Sequence, residues 1–417
     1  MGKYKPESSN TDIRMKGFKE KKDVLDFWAL IDDHLHSSKE SELVKLHEAA
    51  GRVLSATIIS SVKVPSFNRS AMDGYAIRGE DSFGASTYSP IDFKIIGLSL
   101  PGKFFPDTVV SNTAVRIMTG APMPVGADSV IPVELAREEN TVLKVFEPVP
   151  PGKNVGKVGE DVDCGSEVLC AGRKLRPQDI GILSSIGVSE LLVKRKPKVD
   201  ILVTGDELLP PGSKPEGFKI VDSNSVMLQA LVYRDLHVLP NVVYLEDRRE
   251  LICEAILKST ADFILISGGS SVGQEDHAPS VINELGRMLI HGVALRPASP
   301  SGMGIIDNKF IFLIPGNPVS CLCSYDLFAS RAIRKSAGLS TDLPYKKKTF
   351  QLGSKISSMV GRMDYVRVKI KDNLAEPLAI SGASMLSTTT IADGFLIVPS
   401  ESEGYSSGIN VEIHLYD

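Results

Sequence analysis

The chain of 417 residues has no stretch that stays apolar for the ~18 residues a membrane-spanning helix needs. Its polar, charged N-terminus lacks the apolar core of a secretory signal, so a cytoplasmic protein is expected. Cysteine is sparse. The five present, Cys164, Cys170, Cys253, Cys321 and Cys323, are odd in number and form no C-x-x-C pair, and the histidines are not placed to complete a structural zinc set. They read as small core or surface residues in a reducing compartment. Basic runs are also missing: a net charge of -4 argues against a general nucleic-acid binder, and Lys346-Lys347-Lys348 reads as a solvated linker.

What is present is ordinary for a soluble globular protein: 42% hydrophobic and 24% charged residues, in a length sufficient for two to four domains. Val24, Phe27, Trp28, Ile31 and Leu35 fall on one helical face, which predicts a helix over 22–36. A second helix is expected over 44–50, ended by Gly51, before a strand near 57–59. The segment 64–81 is punctuated by Pro65 and Asp73-Gly74, and it gathers Ser70, Asp73 and Tyr75 on one bend; Asp73 makes a turn or serves a site. Short β-rich runs over 91–147 predict an all-β domain, in which Thr119 either offers its hydroxyl and N–H to an oxyanion or caps a turn. The run 148–151 reads as a domain boundary, Glu160 and Asp161 as surface acids, and 175–187 as a short helix begun near Pro177.

From 199 to 337 strands alternate with helices, which predicts a parallel sheet covered by helices. The apolar run Phe263 to Ile266 lacks alternation, as expected of a strand buried on both faces. It breaks at Gly268-Gly269, and the small residues that follow, with Gly273, let backbone N–H groups approach an anion before Glu275 and Asp276 close the loop. Asp222-Ser223-Asn224 is an N-cap signal. Four loops are expected on the carboxyl edge of this sheet, at 205–208, 268–276, 296–300 and 315–318, which is where open α/β sheets bind ligands. The remaining residues return to short strands, with hydroxyls concentrated over 381–389 and Arg362 and Arg367 able to meet an oxyanion.

Seven segments in order, SAMDGYA, RIMTGAP, NVGKVGED, TGDEL, DSNS, SGGSSVGQED and PGNPVS, resemble the molybdopterin molybdenumtransferases, the MoeA group that includes the E domain of gephyrin. The resemblance implies a multidomain α/β and β protein. A split helical and extended N-terminal domain (14–60 and 148–195) would surround an inserted β domain (61–147), followed by a molybdopterin-binding α/β domain with a parallel sheet (196–337) and a small C-terminal β domain (338–417). It implies a homodimer with a cross-subunit active site, a molybdopterin adenylyltransferase as a candidate partner, and a magnesium-dependent insertion of molybdate into adenylylated molybdopterin with release of AMP. By the same resemblance Glu207 and Asp276 hold Mg2+, with Asp73, Thr119 and Asp161 contributed by the facing subunit. Gly268, Gly269, Ser271 and Gly273 cradle the pterin phosphate, and Arg367, Ser384 and Ser387 help hold molybdate. Ser223, Arg296, Pro297, Ser299, Pro315 and Asn317 complete the expected binding set.

Two positions depart from the family pattern. Many members carry K-P-G-K-P where this chain has Arg296-Pro297-Ala298-Ser299-Pro300, and the usual acid of the glycine loop is Gln274 here. One fewer cation weakens an oxyanion site. A tungstate-selective paralogue, an adenylyltransferase and a non-catalytic pterin-binding scaffold of the gephyrin kind therefore stand as alternatives to the inserting enzyme.

Overall fold

The computed structural model describes residues 21–37, 40–269, 276–378 and 382–416. The chain divides into two compact units, one of residues 1–40 with 194–417 and the other of 41–193.

In the 41–193 unit, a six-stranded sheet runs in the order Ser129–Pro132, Gly74–Ile77, Thr113–Ile117, Ile91–Ser99, Val142–Val145, Ala136–Glu139. Its inward residues, including Tyr75, Ile77, Phe93, Ile131 and Leu143, form one core. Short antiparallel ladders and the helix Pro177–Ser185 make up the rest, around Leu54, Leu183 and Val193. The helix expected over 44–50 does not form. Ser41–Lys45 is a strand paired with Glu190–Lys194, and only a single turn, Leu46–Glu48, follows it. Apolar residues at Leu43 and Val44 alone cannot set a helical period, and the long-range ladder satisfies the backbone there instead.

The other unit holds the α/β sheet, in the order Asn241–Leu245, Val199–Thr204, Phe263–Ser267, Lys309–Ile314, Gly302–Ile306, Arg287–His291. The first four are parallel; Gly302–Ile306 is antiparallel to both its neighbours, so Arg287–His291 runs in the direction of the first four and also ends at their carboxyl edge. Successive residues of the central strands enter different cores. Ile201, Val203 and Leu265 join Leu228 and Phe328 on one face, while Leu202, Ile264 and Ile266 meet Ile252, Ile256 and Ile282 on the other. Both faces are covered, so the strands carry unbroken apolar runs. The predicted N-terminal helix is Val24–His34; its Phe27 stacks on Phe328 with ring centroids 4.0 Å apart, and the Trp28 indole N–H donates to the Leu327 carbonyl at 2.8 Å.

The C-terminal sheet closes on itself through Met363–Lys371, which pairs with both Leu374–Pro377 and Gly394–Val398. Its interior is Leu352, Val366, Val368, Leu396 and Ile413. Lys346 to Lys348 are not a linker; they open the strand Lys346–Leu352, whose exposed side chains suit lysine while its backbone pairs with Asn410–Leu415.

A buried polar network ties this barrel's entry to the α/β domain. The Arg234 guanidinium meets Asp235 and Asp326, and the Tyr345 hydroxyl donates to Asp326 at 2.9 Å. Asp235 also accepts from Tyr325 at 3.0 Å and from Ser330 at 2.7 Å. Asp326 is wholly enclosed, and burial pushes its carboxyl up to about 6 against the opposing pull of Arg234. A carboxyl whose folded pKa exceeds its unfolded value holds its proton more tightly when folded. Its stabilisation is complete below 3.8 and is lost as pH rises through about 6. Denaturant titrations of wild type and Asp326→Asn should therefore differ progressively between those limits, the variant gaining on the order of 2 kcal/mol relative to wild type. A pH-independent difference would contradict this assignment.

Candidate functional site

Three strand ends and one helix start meet on the carboxyl edge of the α/β sheet. Val199–Thr204 gives way to Gly205, Phe263–Ser267 to Gly268 and Gly269, and Lys309–Ile314 to Pro315 and Gly316. Gly268 and Gly269 have φ of 97° and 52°, a region that favours glycine. A Cβ on Gly268 would lie 2.2 Å from the Thr204 carbonyl oxygen, so the turn is bare because the neighbouring strand end leaves no room. Gly268 N–H donates to the Ile314 carbonyl at 3.3 Å, joining two of the ends.

The helix Asn224–Leu236 points its N-terminus at this edge. Asp222, rather than Ser223, supplies the side-chain cap: it accepts from the Asn224 N–H at 2.9 Å, the Ser225 N–H at 3.2 Å, the Tyr244 hydroxyl at 2.8 Å and the Ser225 hydroxyl. Ser223 itself is half-buried beside it. The Asn224 side-chain amide donates to the Gly316 carbonyl at 2.7 Å and to the Ser267 hydroxyl at 3.2 Å, bracing the helix start against both strand ends.

Acids occupy one side of the edge. Glu207 and Asp206 are exposed after the first strand, and the Asp247 N–H donates to Asp206 at 3.1 Å. Asp247 is half-buried, and burial, followed by the charges of Asp206 and Glu207, pushes its carboxyl above the usual range. Sequence reasoning missed Asp247; the signal available was an acid directly beyond the end of the predicted strand 241–245. Asp276 lies half-buried just before the helix Ala278–Leu285. Ser271, Gly273 and Gln274 lie outside the described residues. Among the described residues, no three His, Cys, Asp or Glu side chains gather as a metal-ligand set.

Cations come from the C-terminal barrel. Arg296 lies, as expected, in the connection from Arg287–His291 to Gly302–Ile306 at the carboxyl edge of the α/β sheet, and there Leu295–Arg296 also pairs with Met363–Lys371 of the barrel. There Arg296 and Arg362 both grip Asp364, which is fully buried and also accepts from Ser358 at 2.8 Å. Two guanidiniums on one carboxylate leave a net positive charge, partly exposed on both arginines. The half-buried Ser299 has its hydroxyl oxygen enclosed, with no hydrogen-bond partner among the described residues. Pro297 accepts a weak contact from the Cys323 thiol at 3.7 Å, which seats this loop on the helix Pro318–Ser324.

Asn317 caps that helix through its carbonyl, Pro315 is buried beneath it, and the Val319 N–H donates to the Ala383 carbonyl at 2.9 Å. This bond brings the barrel segment carrying the exposed Ser384 and Ser387 to the α/β edge. Arg367 is 3% exposed and lies beneath that segment, donating to the Thr388 hydroxyl; burial lowers its pKa.

In the 41–193 unit the Asp73 and Thr119 expectations converge. Asp73 accepts from the Thr119 N–H at 2.6 Å and from its hydroxyl at 2.9 Å, which hold the carboxyl below its usual range. Asp161 is exposed in a separate loop, its N–H donating to the Val64 carbonyl at 3.0 Å.

A doubly covered α/β sheet with a glycine-lined carboxyl edge, joined to a β-barrel presenting paired arginines, defines a multidomain protein built to hold anionic ligands. Family models assign it further. Residues 22–187 match the MoeA N-terminal region (domain I and II), 200–335 a probable molybdopterin binding domain, and 349–416 the MoeA C-terminal region (domain IV). The chain is 32% identical to the molybdopterin molybdenumtransferase of Haemophilus influenzae, over 91% of this chain and 94% of that protein. It is 31% identical to the one from Bacillus subtilis, over 92% and 91%. The crystal structure of the molybdopterin biosynthesis MoeA protein from Pyrococcus horikoshii superposes with a TM-score of 0.80 at 33% identity, covering 95% of this chain and all of that one. The chain belongs to the MoeA family.

The glycine turn can be tested by contrast. Gly268→Ala should cost roughly 1–3 kcal/mol by forcing the strand ends apart. Gly316→Ala, whose new carbon would come no nearer than 3.8 Å to Gly268, should change the unfolding midpoint little. Equal effects in thermal denaturation would refute the close-approach explanation.

Proposed function

We propose that the chain acts in molybdenum cofactor biosynthesis, inserting molybdate into adenylylated molybdopterin with release of AMP. The observation that carries this reading is the meeting, within one unit, of a glycine-lined strand edge with a barrel face where Arg296 and Arg362 share Asp364. The first suits a pyrophosphate, the second a tetrahedral dianion. Relatives named molybdopterin molybdenumtransferase support the same activity. Matches to the MoeA N- and C-terminal regions favour it over an adenylyltransferase.

In this proposal the bare turn at Gly268 lets the phosphates approach the backbone N–H groups of Gly269, Ser271 and Gly273, with Ser223 beside them at the helix start. Pro315 and Asn317 wall the edge. Arg296, Pro297, Ser299, Ser384 and Ser387 border the molybdate, with Arg362 added beside Arg296 and Arg367 supporting the serine segment from below. Glu207 and Asp276 would hold Mg2+. The donor chemistry fits: burial, and after it the charges of Asp206 and Glu207, disfavour the Asp247 anion, a hard divalent cation would relieve the second of these, and magnesium commonly takes one or two carboxylates plus substrate phosphates. Bound there, the ion would supply Lewis-acid neutralisation of the pyrophosphate. The residues' own work is to orient the leaving AMP and fix the oxyanion beside the dithiolene.

The domain division given from the sequence, a cytoplasmic location, and a homodimer in which Asp73, Thr119 and Asp161 of one subunit complete the site of the other belong to the same proposal, as does supply of substrate by a molybdopterin adenylyltransferase. Purified protein with adenylylated molybdopterin, Mg2+ and molybdate should release AMP and incorporate metal; failure of both would remove the transferase reading. Asp276→Asn should lower turnover by at least ~100-fold while leaving the unfolding midpoint unchanged. Unaltered turnover would remove Asp276 from the metal site. On gel filtration the protein should elute as a dimer, and a strict monomer would exclude the cross-subunit site.

A further inference from the structure

Asn224 carries a polar atom that the bracing of the strand ends does not use. The residue is 7% exposed, and its side-chain nitrogen is engaged by the Gly316 carbonyl and the Ser267 hydroxyl. A carbonyl oxygen only accepts, so the atom facing Gly316 must be the amide nitrogen, and this contact sets the orientation of the amide. The amide oxygen, Oδ1, is thereby turned away from Gly316, and it is buried with no hydrogen-bond donor reaching it among the described residues. A buried acceptor left without a donor is unfavourable in a folded protein and calls for a partner, which beside a ligand-binding edge a bound ligand can supply.

We propose that Asn224 is a substrate-binding residue whose Oδ1 accepts a hydrogen bond from an N–H of the pterin ring system. This rests on the reading that the carboxyl edge holds molybdopterin. The donor requirement decides which part of the substrate is involved. Phosphate and molybdate oxygens are acceptors at neutral pH and would be repelled by Oδ1, whereas the amino and ring N–H groups of a pterin are donors. The adenine amino group is the other donor in the adenylylated substrate, and the two are separated by titrating molybdopterin and AMP individually. A cation is excluded by working in EDTA.

With wild type, Asn224→Ala and Asn224→Asp, affinities for molybdopterin and for AMP are measured anaerobically alongside thermal unfolding. Asn224→Ala should weaken molybdopterin binding about tenfold with AMP affinity unchanged. Asn224→Asp loses the donor to Gly316 but keeps an acceptor, and should bind molybdopterin within about threefold of wild type. If Asn224→Ala is not recovered folded, Asn224→Leu, similar in shape without either polar atom, takes its place. Undiminished binding by the alanine or leucine variant overturns the proposal. So does an aspartate variant as weak as alanine, which would assign the effect to the nitrogen and its hold on Gly316, or a loss confined to AMP. Wild type that binds no molybdopterin at all would instead strike the functional reading beneath it.

Discussion

The close approach of two neighbouring strand ends organises the α/β half of the site. In the parallel register Val203 lies beside Ser267, so the residue after Ser267 falls against the Thr204 carbonyl. A side chain there has no space, and only glycine follows the strand without pushing it aside. From that constraint come a turn of bare backbone and a place for Asn224 to clasp Gly316 and Ser267 together. Asp222 satisfies the first N–H groups of the same helix and so leaves its axis free to face the edge.

Charge is distributed around that edge with a clear polarity. Asp206, Glu207 and Asp247 stand after the first strand and its neighbour, where burial first and the two neighbouring acids second raise the Asp247 carboxyl above its usual range. At the same carboxyl edge, the connection that pairs with the barrel brings Arg296 beside Arg362 on the single buried carboxylate of Asp364. A substrate that carries phosphates, and whose second partner is an oxyanion, needs both kinds of surface: carboxylates to hold a neutralising cation and guanidiniums to hold the anion. The network of Arg234, Asp235, Asp326 and Tyr345 lies beneath and connects the helix that leaves the site with the first residues of the barrel.

Much of this was readable in the chain itself. Apolar runs without alternation announced a sheet covered on both faces, and the glycines after three of them stand at its strand ends as expected. The Asp73 and Thr119 motifs, 46 residues apart, pair in the structure through the threonine's N–H and hydroxyl. Other features were hidden. Leu43 and Val44 sit in a strand because Glu190–Lys194 pairs with it, a partner too distant for any local period to show. Lys346 to Lys348 looked like solvated linker because an exposed edge-facing strand and a linker share the same composition. Asp247 was overlooked since one acid after one strand has no motif around it.

The sequence by itself determined the layering, the family and the identity of the residues that line the carboxyl edge, because hydrophobic period and glycine placement are local properties that survive in one dimension. Only the tertiary structure decided which charges meet. Arg296 could be placed at the carboxyl edge from the sequence, but nothing local showed that the same residues also pair with the barrel; its meeting with Asp364, 68 positions away, depends on the barrel closing. The unmet oxygen of Asn224 is of the same kind, since satisfaction of a polar atom depends on every neighbour in space and on none in particular along the chain.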